Sequence, residues 1–409
     1  MSDDGTVVPL AQAPDAIELR HLRAFVAVAG ELNFSRAAQG LFLSQPALSR
    51  QIRHLERLIG CDLFRRSTQR VELTLAGESL LARARPLLAD LDNAITTTRS
   101  VGGELDGRMA RLWAPWTNAS EHTGDLETVR AATEELHGRF APPDGVVTAP
   151  VLAGGTPALR LTPATVQDGP PAAILYVHGG GHVAGSAFGY RHLAGAIAAA
   201  ARTPALVVDY RLAPEHPYPT GLHDVLAAYR WLLGTGTAPD RITVTGDSSG
   251  AGLVLSLLLA LRAEDLPQPA GAALMCPWVD LTGKAQQPPS ESPILFRPEA
   301  ARRYAEAYLD GHPEDDPLVD PLHTGLSGLP PLLIHAASGD SVRHEAQLLA
   351  EHAGACGVEV ATTVYPVATH TFHLFWSFLP EAAAAVDQIG QFIRDRISAT
   401  AATDRAAEA

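Results

Sequence analysis

Three separated groups of residues could together transfer an acyl group. The first is the sequence G-D-S-S-G at residues 246–250. It lies between a predicted strand at 241–245 and a predicted apolar helix at 250–263. A serine flanked by glycines at such a strand-to-helix turn adopts a strained elbow that exposes its hydroxyl. We therefore predict that Ser248 is a nucleophile.

The second group could supply the base and the acid that a serine nucleophile needs. Asp340 follows a predicted strand at 332–336, and His370 follows the next strand along the chain. Loops after parallel strands meet at one edge of the sheet, so both side chains could reach Ser248. His370 would accept the serine proton, and Asp340 would orient the imidazole and stabilise its charged form. His373, three residues after His370, is the alternative base.

The third group could stabilise the negative charge that develops during acyl transfer. The sequence H-G-G-G at 178–181 directly follows a predicted strand at 172–177. Because glycine has no side chain, the backbone N–H groups of such a run can point at a developing oxyanion. We predict that the N–H groups of Gly179 and Gly180 form such an oxyanion hole with that of Ser249. This chemistry needs no cofactor and no metal ion.

The elements that would position these groups alternate between strands and helices. Strands are predicted at 172–177, 205–210, 241–245, 271–276, 332–336 and 359–365. Helical stretches lie between them, as at 250–263 and 345–355. This alternation is typical of a mostly parallel, doubly wound sheet with helices on both faces. Because the order nucleophile, acid, base is that of the α/β-hydrolase fold, we assign a hydrolase domain to 108–398. Residues 399–409 are predicted to form a flexible tail.

A different pattern, typical of a helix-turn-helix, precedes this domain. Between Asn33 and Arg66, two helical segments are separated by a short turn. Ser44 can cap the second helix, and Pro46 suits its first turn. Ile52 and Leu55 would face inward, whereas polar and basic residues would face bases and phosphates. The predicted DNA contacts, including two arginines beside a possible wing hairpin, are Ser44, Gln45, Pro46, Ser49, Arg50, Arg53, Arg65 and Arg66.

A long helical pattern connects the two parts. It runs from about 75 to 101, and its apolar positions recur at three- and four-residue spacing: Leu81, Ala84, Leu88, Leu91 and Ile95. Such a seam favours pairing with a second helix, and thus a dimer or tetramer. Three glycines, at 102, 103 and 107, indicate a hinge. We assign 1–16 to a disordered leader, 17–76 to an all-α winged helix-turn-helix, and 77–107 to a linker helix and hinge.

The two parts also differ in net charge. The chain of 409 residues has a net charge of −14, yet residues 17–112 carry 14 arginines against 10 acidic residues. A basic segment beside an acidic remainder suggests that only the first part meets nucleic acid.

The sequence also limits the cellular compartment. Cys61, Cys276 and Cys356 lie far apart, which predicts neither a disulfide framework nor a zinc site. No apolar run reaches the roughly 18 residues that cross a membrane. The first sixteen residues contain no basic side chain, unlike a secretory signal. We expect a cytoplasmic protein that does not enter a membrane.

Residues 17–103 closely resemble LysR-type transcriptional regulators. The matching positions include Ala37–Ala38, Leu41, Ser44–Ala47, Ser49, Ile52, Leu55–Glu56, Gly60, Leu63–Phe64, Arg66, Val71–Thr74 and Ala76–Glu78. The resemblance implies a dimer, or a dimer of dimers, that binds a partly palindromic operator. It stops before the two-lobed effector domain that usually follows in that family.

Residues 115–398 resemble bacterial carboxylesterases of the hormone-sensitive-lipase family. Beyond the motifs above, the match includes D-Y-R-L-A-P-E at 209–215 and P-Y-P at 217–219. The resemblance implies hydrolysis of short acyl esters without a cofactor, under a cap formed by segments near 113–140 and 282–325. One departure is Ser249, which stands where the family usually has alanine.

The combination suggests a LysR-like DNA-binding regulator whose effector domain is a serine carboxylesterase that hydrolyses or senses a small acyl ester or lactone. Two alternatives remain open. The DNA-binding part could be an incidental fusion to a stand-alone carboxylesterase. The hydrolase could instead be a catalytically silent receptor that controls transcription.

Overall fold

The computed structural model describes residues 17–41, 43–66, 71–122, 125–166, 169–285 and 298–407. The chain divides into two compact units, residues 1–104 and 105–409. The leader predicted at 1–16 lies outside the described residues.

The first unit is a small helical domain with a two-stranded hairpin. Its elements, in chain order, are α1 (Leu19–Glu31), α2 (Phe34–Gly40), α3 (Gln45–Ile59), β1 (Phe64–Arg66) and β2 (Val71–Leu73). The two strands pair antiparallel, with Phe64 opposite Leu73 and Arg66 opposite Val71. The three helices and the wing hairpin confirm the predicted winged helix-turn-helix.

Helix α3 has the local signals expected of its sequence. The Ser44 hydroxyl accepts a hydrogen bond from the backbone N–H of Ala47 at 3.3 Å, and Pro46 occupies the first turn. Ile52 and Leu55 are buried, as predicted. They join a core with Phe25 from α1, which fixes the helix and leaves its opposite side to solvent.

A single long helix, α4 (Leu75–His122), follows the hairpin. The glycines at 102, 103 and 107, predicted to form a hinge, lie within this helix rather than at a break. Each glycine weakens a helix by about 1 kcal/mol relative to alanine, a penalty that neighbouring packing can offset. Met109 and Trp113, on the last turns, are buried in the second unit's core.

The second unit is built on one sheet of eight strands, in the order β10-β9-β8-β7-β5-β6-β4-β3. β4 pairs antiparallel with β3 and β6, and the remaining neighbours are parallel. The strands are β3 (Val147–Ala153), β4 (Thr156–Thr162), β5 (Ala173–Val177), β6 (Ala205–Val208), β7 (Ile242–Asp247), β8 (Gly271–Met275), β9 (Leu332–Ala337) and β10 (Val360–Tyr365). The mostly parallel sheet confirms the predicted α/β-hydrolase architecture.

Helices cover both faces of this sheet. They are α6 (Ala187–Ala201), α7 (Thr220–Gly234), α8 (Ser249–Ala263), α10 (Arg343–Ala355) and α11 (Pro380–Ala407). The unit also contains α5 (Leu126–Gly138) and α9 (Pro298–Leu309). Short 3-10 helices span Pro239–Arg241 and Phe372–Phe375. Alternate residues of β5 enter opposite cores: Tyr176 packs with α6 and α11, whereas Leu175 packs with α7, α8 and α10.

Two segments differ from the sequence-based expectation. Residues 399–407, predicted as a flexible tail, continue α11, consistent with the high helix propensity of their alanines. The hairpin of β3 and β4 had no predicted counterpart, although Gly154 and Gly155 have positive φ values of 62° and 94° in its tight turn. None of the described helices is long and apolar enough to span a membrane.

Candidate active site

Ser248 occupies a sharp turn between the end of β7 and the start of α8. Its backbone has φ 51° and ψ −123°, a conformation that side chains rarely adopt. The flanking glycines permit this turn. A Cβ at Gly246 would lie 2.7 Å from the backbone of Gly250, and one at Gly250 would lie 2.3 Å from the Val177 carbonyl oxygen. Only glycine therefore fits at these two positions.

The structure brings Ser248, His370 and Asp340 together. His370 Nε2 lies 2.8 Å from the Ser248 hydroxyl oxygen, and its Nδ1 lies 2.7 Å from Asp340 Oδ2. All three residues are buried. Asp340 follows β9 and His370 follows β10, so the carboxyl ends of neighbouring strands deliver them to one edge. With Nδ1–H donating to the carboxylate, Nε2 is free to accept the serine proton.

His373, the alternative base, does not reach the serine. It is fully buried, and its Nε2 lies 3.2 Å from Nδ1 of His335. Burial lowers the pKa of His373 well below its usual value, and the neighbouring His335 adds to this shift. The two imidazoles stack as part of the core, which identifies His373 as a packing residue.

The predicted oxyanion hole is wrong in one residue of the glycine loop, which is the H-G-G-G sequence at 178–181. The N–H of Gly179 donates a hydrogen bond to Asp247 Oδ1 at 3.0 Å, so it is not available to a substrate. Gly180 and Gly181 line the same cavity as Ser248. Within the described parts of the chain, neither backbone N–H donates a hydrogen bond. The N–H of Ser249 lies in the first turn of α8, where helices leave donors unpaired.

Asp247 is a functional residue that the sequence-based prediction missed. Its buried carboxylate accepts hydrogen bonds from the Tyr176 hydroxyl, at 2.9 Å, and from the N–H of Gly179. Burial raises the pKa of Asp247 to about 6, against the opposing effect of these hydrogen bonds. The carboxylate thus connects the glycine loop to the turn that carries Ser248. The G-D-S-S-G motif includes Asp247, but its partner Gly179 lies in a separate motif 68 residues away.

A small cavity opens over Ser248. Its volume is about 40 Å³. The floor is formed by Ser248, His370 and the glycine loop, and the walls come from α4, α5, α6 and α9. The lining is mostly aromatic, with two polar side chains from α5: Trp113, Trp116, Tyr190, Tyr304, Thr133 and His137. The segments predicted to form a cap supply most of these walls.

Cys276 lies beside Asp340 and His370. Ligand atoms of Cys276, Asp340 and His370 lie within 4.8 Å of one another, the one such cluster found among the described residues. Burial raises the pKa of the Cys276 thiol well above its usual value, and nearby Asp340 adds to this shift. The thiol is therefore protonated at neutral pH. Since Asp340 and His370 already pair with each other, the cluster is suited to proton transfer rather than to holding a metal.

The residues predicted to contact DNA lie mainly on one helix of the first unit. Gln45, Arg50 and Arg53 on α3 are exposed, and Ser49 is half-buried. The Gln45 side-chain amide donates to the Ser49 hydroxyl at 3.1 Å. Ser44 and Pro46 form the exposed start of α3, and Arg65 is exposed on β1. Arg66 ends β1, but its side chain lies outside the described part of the structure.

Family comparisons divide the chain in the same way. A family model described as the α/β hydrolase fold matches residues 174–374. A second, described as bacterial regulatory helix-turn-helix protein, lysR family, matches residues 19–78.

Individual relatives match the second unit. An acetyl-hydrolase of Streptomyces hygroscopicus is 38% identical over 282 residues, which cover 68% of this chain and 92% of the relative. The carboxylesterase/phospholipase LipF of Mycobacterium tuberculosis is 36% identical over 56% of this chain and 63% of its own length. A solved esterase of the bacterial hormone-sensitive lipase family is 34% identical, with a TM-score of 0.66 over 71% of this chain and 98% of that one.

Proposed function

Because the chain belongs to the α/β-hydrolase family of bacterial esterases and carries a lysR-family helix-turn-helix, we propose that it is a transcriptional regulator whose effector domain hydrolyses small acyl esters at Ser248. That it is a serine carboxylic ester hydrolase follows from its relatives. The assignment of residues rests on one observation, the continuous hydrogen-bonded line from Ser248 through His370 to Asp340.

In the first half of the proposed reaction, the Ser248 hydroxyl attacks the ester carbonyl while His370 Nε2 takes its proton. Asp340 stabilises the resulting imidazolium. The carbonyl oxygen becomes an oxyanion that accepts hydrogen bonds from the N–H groups of Gly180, Gly181 and Ser249. Collapse of this intermediate breaks the bond to the alcohol, which leaves with the proton from His370.

In the second half, water replaces the alcohol. His370 removes a proton from the water, which attacks the acyl group on Ser248, and then returns that proton to the serine oxygen. The free acid leaves and the enzyme is restored. The small cavity, of about 40 Å³, supports a substrate with a short acyl group. No step in this sequence requires a cofactor.

Diethyl 4-nitrophenyl phosphate tests the assignment of the nucleophile. Attack by an activated serine expels 4-nitrophenolate and leaves a diethylphosphoryl group on the oxygen. We expect one equivalent of 4-nitrophenolate per chain, with the added mass on the peptide that contains Ser248. The Ser248→Ala variant should release none. Equal labelling of both proteins would assign the nucleophile elsewhere.

The regulatory part of the proposal rests on α4. This helix begins directly after the wing strands of the first unit, and Trp113 and Trp116 near its end line the cavity over Ser248. A ligand in the cavity therefore contacts the helix that leads from the DNA-binding unit. We place the protein in the cytoplasm, as a dimer or tetramer bound to a partly palindromic operator. Two residues of the predicted seam, Ala84 and Leu88, are buried within the chain itself, so they would not form the pairing surface.

Occupation of the active site should change DNA affinity if the two parts are coupled. A high-affinity duplex is first selected from random-sequence DNA with the unmodified protein. Its Kd is then measured before and after modification by diethyl 4-nitrophenyl phosphate. We expect a change of several-fold, with no change when the Ser248→Ala variant is treated identically. An unchanged Kd, or failure to select any sequence, would favour a stand-alone carboxylesterase with an incidental DNA-binding fusion.

A further inference from the structure

Helix α5 places two polar side chains in the otherwise aromatic wall of the cavity. Thr133 and His137 are one helical turn apart, so they share a face. Both are buried, and both line the cavity that contains Ser248. Thr133 pairs with Val129 and His137 Nδ1 with His192, so a plain alkyl acyl group would leave only the second nitrogen of His137 unpaired, which is unfavourable in a buried site.

The neighbouring His192 determines which nitrogen of His137 carries the proton. His137 Nδ1 and His192 Nε2 lie 3.4 Å apart, so one of them must donate to the other. The remaining nitrogen of His192, Nδ1, is buried without a partner among the described residues. An unpaired buried N–H is rarer than an unpaired acceptor. His192 Nε2–H is therefore the donor, which leaves the proton of His137 on Nε2.

His137 Nε2–H is then a single neutral donor that a ligand can reach. Within the described structure, no hydrogen bond engages this nitrogen, because only Nδ1 contacts His192. The ring packs on Tyr190, with 4.2 Å between the centroids. Burial lowers the pKa of His137 well below its usual value, so the imidazole carries no charge that would attract a carboxylate.

Thr133 complements this donor with an acceptor. Its hydroxyl donates to the Val129 carbonyl oxygen at 2.8 Å, which uses its one proton. The oxygen lone pairs remain to accept a hydrogen bond. An ether or keto oxygen could use only His137, whereas a hydroxyl group could accept from His137 and donate to Thr133.

We propose that His137 is a specificity residue that donates a hydrogen bond to a neutral oxygen in the acyl chain of the substrate. The preferred esters then carry an ether, keto or hydroxyl oxygen close to the ester carbonyl. The cavity receives the acyl part because this part stays on Ser248 through both halves of the reaction, whereas the alcohol departs after the first. This inference rests on the proposed esterase function.

An isosteric pair of esters isolates the hydrogen bond. 4-Nitrophenyl methoxyacetate and 4-nitrophenyl butyrate differ by one ether oxygen in place of a methylene group. The ratio of kcat/KM for the methoxyacetate to that for the butyrate is divided by the same ratio of their rate constants for hydrolysis by hydroxide. This division removes the difference in intrinsic reactivity between the two esters. We expect the wild-type quotient to exceed one by about 2- to 10-fold, the range for one neutral hydrogen bond. A quotient of one or less would overturn the proposal without any variant.

His137→Phe keeps the ring that packs on Tyr190 but removes the donor. The quotient should fall to about one, and since both esters are measured on the same protein, a loss of stability cancels. Thr128→Val is the matched control, because Thr128 is exposed on the same helix and is not part of the cavity lining, so the quotient should stay at the wild-type value. A wild-type quotient retained in His137→Phe would contradict the proposal. Failure of the wild type to hydrolyse either ester would instead contradict the proposed function.

Discussion

The carboxylate of Asp247 accepts a hydrogen bond from the backbone N–H of Gly179, at 3.0 Å, between residues 68 positions apart in the sequence. Asp247 immediately precedes Ser248, and Gly179 immediately precedes Gly180. One contact thereby joins the turn that presents the nucleophile to the loop proposed to stabilise the oxyanion. The distance between the Ser248 hydroxyl and the N–H groups of the glycine loop depends on this hydrogen bond. Small displacements of reacting and stabilising groups reduce rates strongly.

Removal of the Asp247 carboxylate should therefore affect both stability and rate. Asp247→Ala leaves the Tyr176 hydroxyl and the Gly179 N–H unpaired in a buried site, which should lower the free energy of unfolding by about 1–3 kcal/mol. With 4-nitrophenyl acetate as substrate, we expect a larger fold-decrease in kcat than fold-change in KM. Asp247→Asn retains an acceptor oxygen and should lose less of both. Urea unfolding and steady-state kinetics measure these effects, and equal behaviour of the two variants would count against this role.

Gly180 tests the glycine loop directly. It has φ 114°, and a Cβ there would lie 2.1 Å from the Ala184 carbonyl oxygen. Gly180→Ala should displace the loop and reduce kcat by about 100-fold or more, as expected for loss of an oxyanion donor. Gly328→Ala is the control, since Gly328 also has a positive φ but no atom within 4 Å of a built Cβ. Similar losses in both variants would show that the effect comes from backbone strain alone.

The buried His182 should make the fold sensitive to acid. Burial lowers its pKa from 6.5 to about 3, so between these values unfolding takes up one proton at this residue. Its contribution to stability is present above pH 6.5 and is lost as the pH falls below that value. Between pH 7 and pH 5 this amounts to about 2 kcal/mol.

His182→Phe removes that proton uptake while keeping an aromatic ring to stack on Tyr308. Between pH 7 and pH 5, the free energy of unfolding of the variant should fall by about 2 kcal/mol less than that of the wild type. Strain from the positive φ at this position changes the absolute stability but not its pH dependence. Urea unfolding at pH 7 and pH 5 gives the comparison, and identical pH dependence would mean that His182 is not buried as a neutral group.

Exposed arginines of α3 should govern the affinity for DNA. Arg50→Ala and Arg53→Ala should each weaken binding to a random-sequence duplex. Each should also reduce the slope of log K against log salt by about one, because one phosphate contact is lost. Arg160→Ala, at an exposed position on β4 of the second unit, is the control and should leave the slope unchanged. A wild-type slope in both α3 variants would place the DNA-binding surface elsewhere.

Local sequence patterns accounted for most of the site. The turn at Ser248 and the late loops carrying Asp340 and His370 follow from strand ends and glycines that are readable along the chain. The pairing of Asp247 with Gly179 was not readable, because it depends on how β5 and β7 lie side by side. For that reason the sequence-based prediction included Gly179 in the oxyanion hole, although its N–H donates to Asp247.

Composition was a less reliable guide for the elements away from the site. Three glycines predicted a break in α4, and an alanine-rich end predicted a flexible tail, yet both segments are helical. In α4, packing of residues such as Met109 and Trp113 can outweigh the weak preference of glycine against helix. In α11, alanine is itself the strongest helix former.

The most direct test of the account is hydrolysis of 4-nitrophenyl acetate by the full-length protein and by Ser248→Ala. Ser256→Ala serves as the control, because it removes a serine hydroxyl from the same helix, α8, outside the cavity lining. We predict that the wild type and the control turn over, and that the rate of Ser248→Ala falls by several orders of magnitude. A folded Ser248→Ala variant that hydrolyses the ester at the wild-type rate would contradict the account.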